Sequence, residues 1–212
     1  LAGDFAVEGE GPLLVIDGEA MSEAVFIAQY FDEAAGGCGL QPADPYAHWQ
    51  MLMWCRRITE RCAPAAAFLG CKVTAQPRLA AMDQAAFGAV LDTIASEDLR
   101  VRWVAVAAGD FPEDQARDCI AKVTDAVALV ETQLADGRDW LMGDLTIADF
   151  ETYGWLAGTV ALVPDAWTGK GRAAAWLARV RARPSVQSAL ARATVPNPES
   201  QWAPGPEINR WG

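Results

Sequence analysis

Apolar and polar positions follow two different periods along this chain. Residues 12 to 16, PLLVI, form a short apolar run that predicts a strand, and Asp17–Gly18 behind it is the dipeptide of a tight hairpin turn. After Ser22 the period changes. Val25, Phe26, Tyr30 and Phe31 recur at three-to-four spacing, which predicts a helix with Ser22 as its N-cap. The cluster Ala34-Ala35-Gly36-Gly37-Cys38-Gly39 ends that helix, and QPADP, with Pro42 and Pro45, makes a stiff connection after it.

Beyond Pro45 the pattern is helical to about residue 193. Tyr46 to Phe68 reads as one long apolar-rich helix that Pro64 should kink or end. Pro77 to Ala95 is a second candidate. Pro112 opens a third, to about Leu134, with Ile120, Val123, Val127 and Val130 on one stripe. A fourth starts at Thr146, a fifth spans Gly171 to Arg183, and Pro184 suits the first turn of a last helix ending near Arg192. The remainder, VPNPESQWAPGPEINRWG, has no periodicity and predicts a tail ordered only where something holds it. The expected organisation is α+β: a small βα unit over 1–36, a linker over 37–45, an all-helical unit over 46–193 and an irregular tail over 194–212.

Composition narrows the partners. The chain is 52% apolar and 21% charged, an ordinary globular balance. A net charge of −11 repels phosphate backbones and argues against nucleic acid. No run reaches the roughly 20 apolar residues of a membrane helix. The opening LAGDFAVEGEG carries acids where a secretion signal carries bases, so a cytoplasmic location is expected. Five cysteines without a C-x-x-C fit a reducing compartment. Cys55 and Cys62 fall on one helix face, as core residues do, and the single histidine, His48, reads as a helix-surface residue, so no metal site is expected.

The sharpest local signal is Leu145-Thr146-Ile147-Ala148-Asp149-Phe150. Thr146 can cap a helix while Asp149, at the third helical position, reaches back to the cap amide: a capping box with Asp in place of Glu. Leu145 and Phe150 occupy the positions of a hydrophobic staple. This is a folding device rather than an acid for catalysis.

WLMGDLTIADF (140–150) resembles the buried-helix motif of the cytosolic glutathione transferases, and AAWLARVRARPSV (174–186) is similar to their next helix. GPLLVIDGEAMSEAVFIAQYFDE (11–33) resembles the second half of their thioredoxin-like domain. The three matches stand in the family's order and cover about residues 10 to 193. PADPY (42–46) and RWVAVAAGDFPEDQARDCIAKV (102–123) look like stretches of the bacterial β-etherase transferases, which cleave aryl ethers by glutathione attack.

The resemblance implies a specific chemistry. A glutathione thiolate, made nucleophilic by a hydrogen bond from a Ser, Cys or Tyr, attacks a hydrophobic electrophile. In the family the activating residue lies upstream of the segment matched here, so the catalytic residue is expected outside this chain. Pro12 matches the family's cis-proline, whose preceding residue, here Gly11, offers backbone hydrogen bonds to the cysteinyl part of glutathione. Glu23 and Ala24 match the acid–serine pair that meets the γ-glutamyl carboxylate at a helix N-terminus. Ala24 departs from the pattern by lacking the hydroxyl, a loss of about 0.5–1.5 kcal/mol that Ser22 is placed to offset. The electrophile pocket is expected along the first long helix, with Trp49, Trp54, Arg57 and Trp103 as candidates among nine tryptophans. Three readings follow: a glutathione transferase, a non-catalytic protein that kept the fold, and a glutathione-dependent isomerase or dehalogenase. The resemblance also implies a homodimer.

Overall fold

A computed structural model describes residues 12–204. Leu13–Ile16 (β1) and Glu19–Ser22 (β2) pair antiparallel, Leu13 opposite Ser22 and Ile16 opposite Glu19. Asp17 and Gly18 both take positive φ, 51° and 86°, as the turn of a two-residue hairpin requires. Helix α1 (Ala24–Ala34) follows at once. Ser22 is therefore the last strand residue and not a cap; Glu23 holds the N-cap position and makes no side-chain capping bond.

The connection to the helical part is anchored from α1. Buried Asp32 accepts from the Cys38 amide at 2.8 Å and the Leu40 amide at 3.2 Å, and Gln41 donates to its other oxygen at 3.3 Å. Asp44 then caps α2 (Pro45–Arg57) by accepting from the Ala47 amide at 2.8 Å. His48 lies on α2, half-buried, with its Nε2 at 3.3 Å from Gln29 Nε2.

The proline at 64 neither ends nor sharply breaks this helix. One π turn, Ile58–Cys62, precedes α3 (Ala63–Val73), so Pro64 sits in the first turn of α3, where its missing N–H is not needed. The expected helix over 77–95 is two, α4 (Ala75–Ala80) and α5 (Gln84–Asp92), divided where Asp83 caps the second through the Ala86 amide. A helix not anticipated, α6 (Glu97–Ala108), is capped by Ser96 and closed by Gly109 at φ 74°. Then come α7 (Glu113–Gln133), α8 (Ile147–Leu156), the short α9 (Thr159–Leu162) and α10 (Pro164–Trp167), α11 (Gly171–Arg181) and α12 (Pro184–Ala191).

The main core lies among α2, the π turn, α3, α7, α8 and α11. Met51, Ile58, Val123, Val127, Leu141, Leu156 and Trp176 are wholly enclosed, each large side chain contributing roughly 1.5–3 kcal/mol. Cys55 and Cys62 are core residues, and burial pushes both thiols up to about 12, so neither is a nucleophile at neutral pH. A smaller cluster of Cys71, Ala75, Leu79 and Val106 sits under α4 and α6.

The tail is held. A Cβ at Gly70 would fall inside the Trp202 ring, and one at Gly158 would collide with the Glu199 carbonyl. Glycine at these two places makes the cradle into which Trp202 packs. Glu199 accepts from the Tyr153 hydroxyl and, at 3.0 Å, from Arg181 Nε.

Candidate functional site

Helix α8 begins in full satisfaction. Thr146 is its N-cap in a capping box with Asp149, whose Oδ2 accepts from the Thr146 amide at 3.0 Å. Asp149 Oδ1 also accepts from the Leu141 amide at 3.0 Å and Trp176 Nε1 at 2.8 Å. The carboxyl is wholly buried, and burial raises its pKa while these bonds oppose the rise. All its acceptor capacity is spent inside the protein.

Helix α1 begins quite differently. Glu23 stands at φ 71°, ψ 115°, off the left-handed well and strained for any residue with a Cβ. Its side chain makes no cap bond, and α1 has no acidic residue in its first turn. The first amides of α1 therefore have no helical acceptor, and Ala24 beside them is exposed. Pro12 and Ser22 are exposed on the adjoining hairpin. Gly11 lies outside the described residues.

Packed against α1 is α8, and on it stands a second carboxylate that sequence reasoning did not single out. Glu151 Oε1 accepts from Thr59 Oγ1 of the π turn at 2.7 Å and from Trp155 Nε1 at 2.9 Å. Burial lifts its pKa, against the two hydrogen bonds, and the charge of Glu23 adds to the rise. Trp155 in turn stacks on Trp202 of the tail, centroids 6.4 Å apart at 29°. No local motif marks Glu151: its partner Thr59 is far away in the chain, and the π turn Ile58–Cys62 carries it across to α8.

Three of the four predicted pocket residues come together elsewhere. Trp49, Trp54 and Arg57 line a groove of about 770 Å³ along α2, with Met53 and Arg61 beside them and Arg138 and Met142 closing the far wall. Trp54 lines only its floor: the ring is buried and its Nε1 donates to Thr152 Oγ1 at 2.9 Å, a core role. Trp49 is 53% exposed and stacks on Tyr46 at 5.5 Å. Trp103 is apart from both places, packed on the smaller cluster under α6. Pro12, Ser22, Glu23 and Ala24 do not line the groove. Among the described residues no group of three or more His, Cys, Asp or Glu side chains is set to hold a metal, and no helix is long and apolar enough to cross a membrane.

Known proteins share this architecture. The β-etherase LigF from Sphingobium sp. strain SYK-6 superposes with a TM-score of 0.81 at 22% identity, over 90% of this chain and 82% of that one. A glutathione transferase from Burkholderia graminis, solved with two glutathione molecules per subunit, does so with a TM-score of 0.61 at 19% identity, over 92% and 72%. In sequence, glutathione transferase GST 23 of Zea mays is 38% identical over 55 residues. That stretch is 26% of this chain, and the chain spans only 25% of the maize protein's length. No protein-family model matches. The hairpin, α1 and the helical bundle behind them give this chain the glutathione transferase fold.

Proposed function

We propose that this protein binds glutathione at the start of α1 and uses its thiolate to attack a hydrophobic aromatic electrophile, aryl ethers included. The observation that carries this reading is the backbone of Glu23. A non-glycine residue at φ 71° with no capping bond stores on the order of 1–3 kcal/mol, and such strain persists where it serves a site. It leaves the first amides of α1 free to receive a carboxylate, aided by the helix dipole. Pro12 and Gly11 are the proposed contacts for the cysteinyl part of glutathione, Ser22, Glu23 and Ala24 for the γ-glutamyl part. The thiol-activating residue is proposed to lie upstream of the matched hairpin. Half-buried Trp155, on the helix that packs against α1, is the proposed aromatic contact for the electrophile.

The groove along α2 serves better as an interface. Tyr46, Trp49 and Met53 expose apolar surface there, and Phe26 and Phe31 do so on α1, a pattern that suits a second copy of the chain. Ala24 favours a second reading, a non-catalytic protein with the same fold, because the serine hydroxyl of the family pattern is missing. Isothermal titration of glutathione into the full-length protein, followed by turnover of an aryl ether, separates the two. Micromolar-to-millimolar binding with turnover supports the transferase, whereas a folded protein that binds no glutathione ends this reading.

A further inference from the structure

Resting on that reading, we propose that Glu151 is the catalytic acid that protonates the departing aryl oxygen when an aryl ether is cleaved. Three placements carry it. Glu151 lies on the helix that packs against α1, close enough to its strained start for the charge of Glu23 to act on it. Its neighbour along the helix is the half-buried Trp155, which donates to it and stacks on Trp202 of the tail, so that an aromatic edge adjoins the carboxyl. Both of its donors, Thr59 Oγ1 at 2.7 Å and Trp155 Nε1 at 2.9 Å, bind the same oxygen, Oε1. Oε2 takes no hydrogen bond among the described residues.

This is the opposite of Asp149 two positions earlier, whose two oxygens are both engaged by buried donors. Asp149 has nothing left to offer a substrate. Glu151 is fixed through one oxygen and open at the other, and burial favours its protonated form. The π turn adds to the picture: it aims Thr59 at α8, and such turns recur at functional sites.

The step balances without any oxidant or reductant. The glutathione sulfur forms a bond to the carbon that carries the aryloxy group, and the carbon–oxygen bond breaks with its electron pair on oxygen. The proton of Glu151 passes to that oxygen, a phenol leaves, and the carboxylate regains, through solvent, the proton that the glutathione thiol released on ionising. A leaving group that departs as a stable anion, such as chloride, has no need of this proton.

The test compares wild-type full-length protein with Glu151→Gln, which keeps an acceptor for Thr59 and Trp155. Glutathione affinity is measured first by calorimetry, then kcat on a series of aryl ethers whose phenols differ in acidity, and on 1-chloro-2,4-dinitrobenzene. The expected result is unchanged glutathione affinity, a loss of about 100-fold on ethers of weakly acidic phenols, a smaller loss as the phenol becomes more acidic, and a loss of less than about 3-fold on the chloride. An equal loss on every substrate makes Glu151 a structural residue and overturns the proposal, as does full retention of ether cleavage. Absence of glutathione binding in the wild type overturns the underlying reading instead, and is seen before Glu151 is touched. Glu151→Asp, which keeps an acid on a shorter arm, should recover part of the ether activity; a Glu151→Gln protein that fails to fold leaves this variant and the phenol-acidity slope to decide.

Discussion

Helices α1 and α8 are neighbours in space, yet they begin in opposite ways. At the start of α8 every donor within reach has a partner: Asp149 takes the Thr146 amide, the Leu141 amide and the Trp176 indole, out of contact with water. At the start of α1 the cap residue is strained, its side chain makes no cap bond, and the first-turn amides have no acceptor within the helix. Both are helix N-termini with an acid nearby, so the dipole is the same. What differs is whether the protein itself fills the anion site. A filled terminus holds the fold together; an unfilled, strained one is available to a ligand.

The largest effect should come from emptying the filled terminus. Asp149→Ala leaves three buried donors without an acceptor, and at about 1–3 kcal/mol each, imperfectly additive, the expected loss is about 3–5 kcal/mol in chemical denaturation. A loss below about 1 kcal/mol would remove the contrast between the two helices. Next in size is the tail. Trp202→Ala should destabilise by about 2 kcal/mol, and Gly70→Ala by about 1–3 kcal/mol through overpacking against the same ring. The double variant should lose less than the sum, because both act on one contact. Additive losses would mean that the cradle is not what holds the tail.

Smaller still is the response to pH. The carboxyl of Glu151 is raised in the folded protein, first by burial and then by Glu23. The folded state therefore binds its proton more tightly than the unfolded chain does. Its contribution to stability is full below the ordinary carboxylate range, about pH 4, and is lost as pH rises through the higher folded value. Glu151→Gln, which has no such titration, should gain on the wild type as pH rises from about 4 to 8 in thermal melts. A constant difference across that range would place the carboxyl in water. The smallest effect concerns the groove: Trp49→Ala should shift a dimer towards monomer in sedimentation velocity with little change in melting temperature, since Trp49 is 53% exposed. A monomeric wild type would contradict that part of the account.

Much of this was legible in the residues. The hairpin at Asp17–Gly18, the stripe of α7, the capping box at Thr146 and the glycine stop after α1 are short-range signals with a single physical reading each. Pro64 announced a disturbance but not its form, because whether a proline breaks a helix or is absorbed by a π turn depends on the packing around it. Helix α6 was missed because Val101, Trp103 and Val104 do not fall on one clear stripe, although Ser96, Glu97 and Asp98 at its start and Gly109 at its end mark both boundaries. Trp49, Trp54 and Arg57 do share a groove, yet it is not where Glu23 is. Glu151 is invisible in sequence, since Trp155 one turn on marks nothing by itself and the partner that gives the pair meaning, Thr59, comes from a distant turn.

Glu23 is the residue on which a ligand site at the start of α1 depends. Glu23→Gly frees the backbone at φ 71°, relieving on the order of 1–3 kcal/mol of strain against about 0.5–1 kcal/mol of extra chain entropy. Stability and glutathione affinity of this variant, measured together in the full-length protein by denaturation and calorimetry, test the claim most directly. The account predicts a protein more stable by about 1 kcal/mol that binds glutathione at least 10-fold more weakly. A variant that is no more stable and binds glutathione as the wild type does would show that the strained start of α1 serves no ligand.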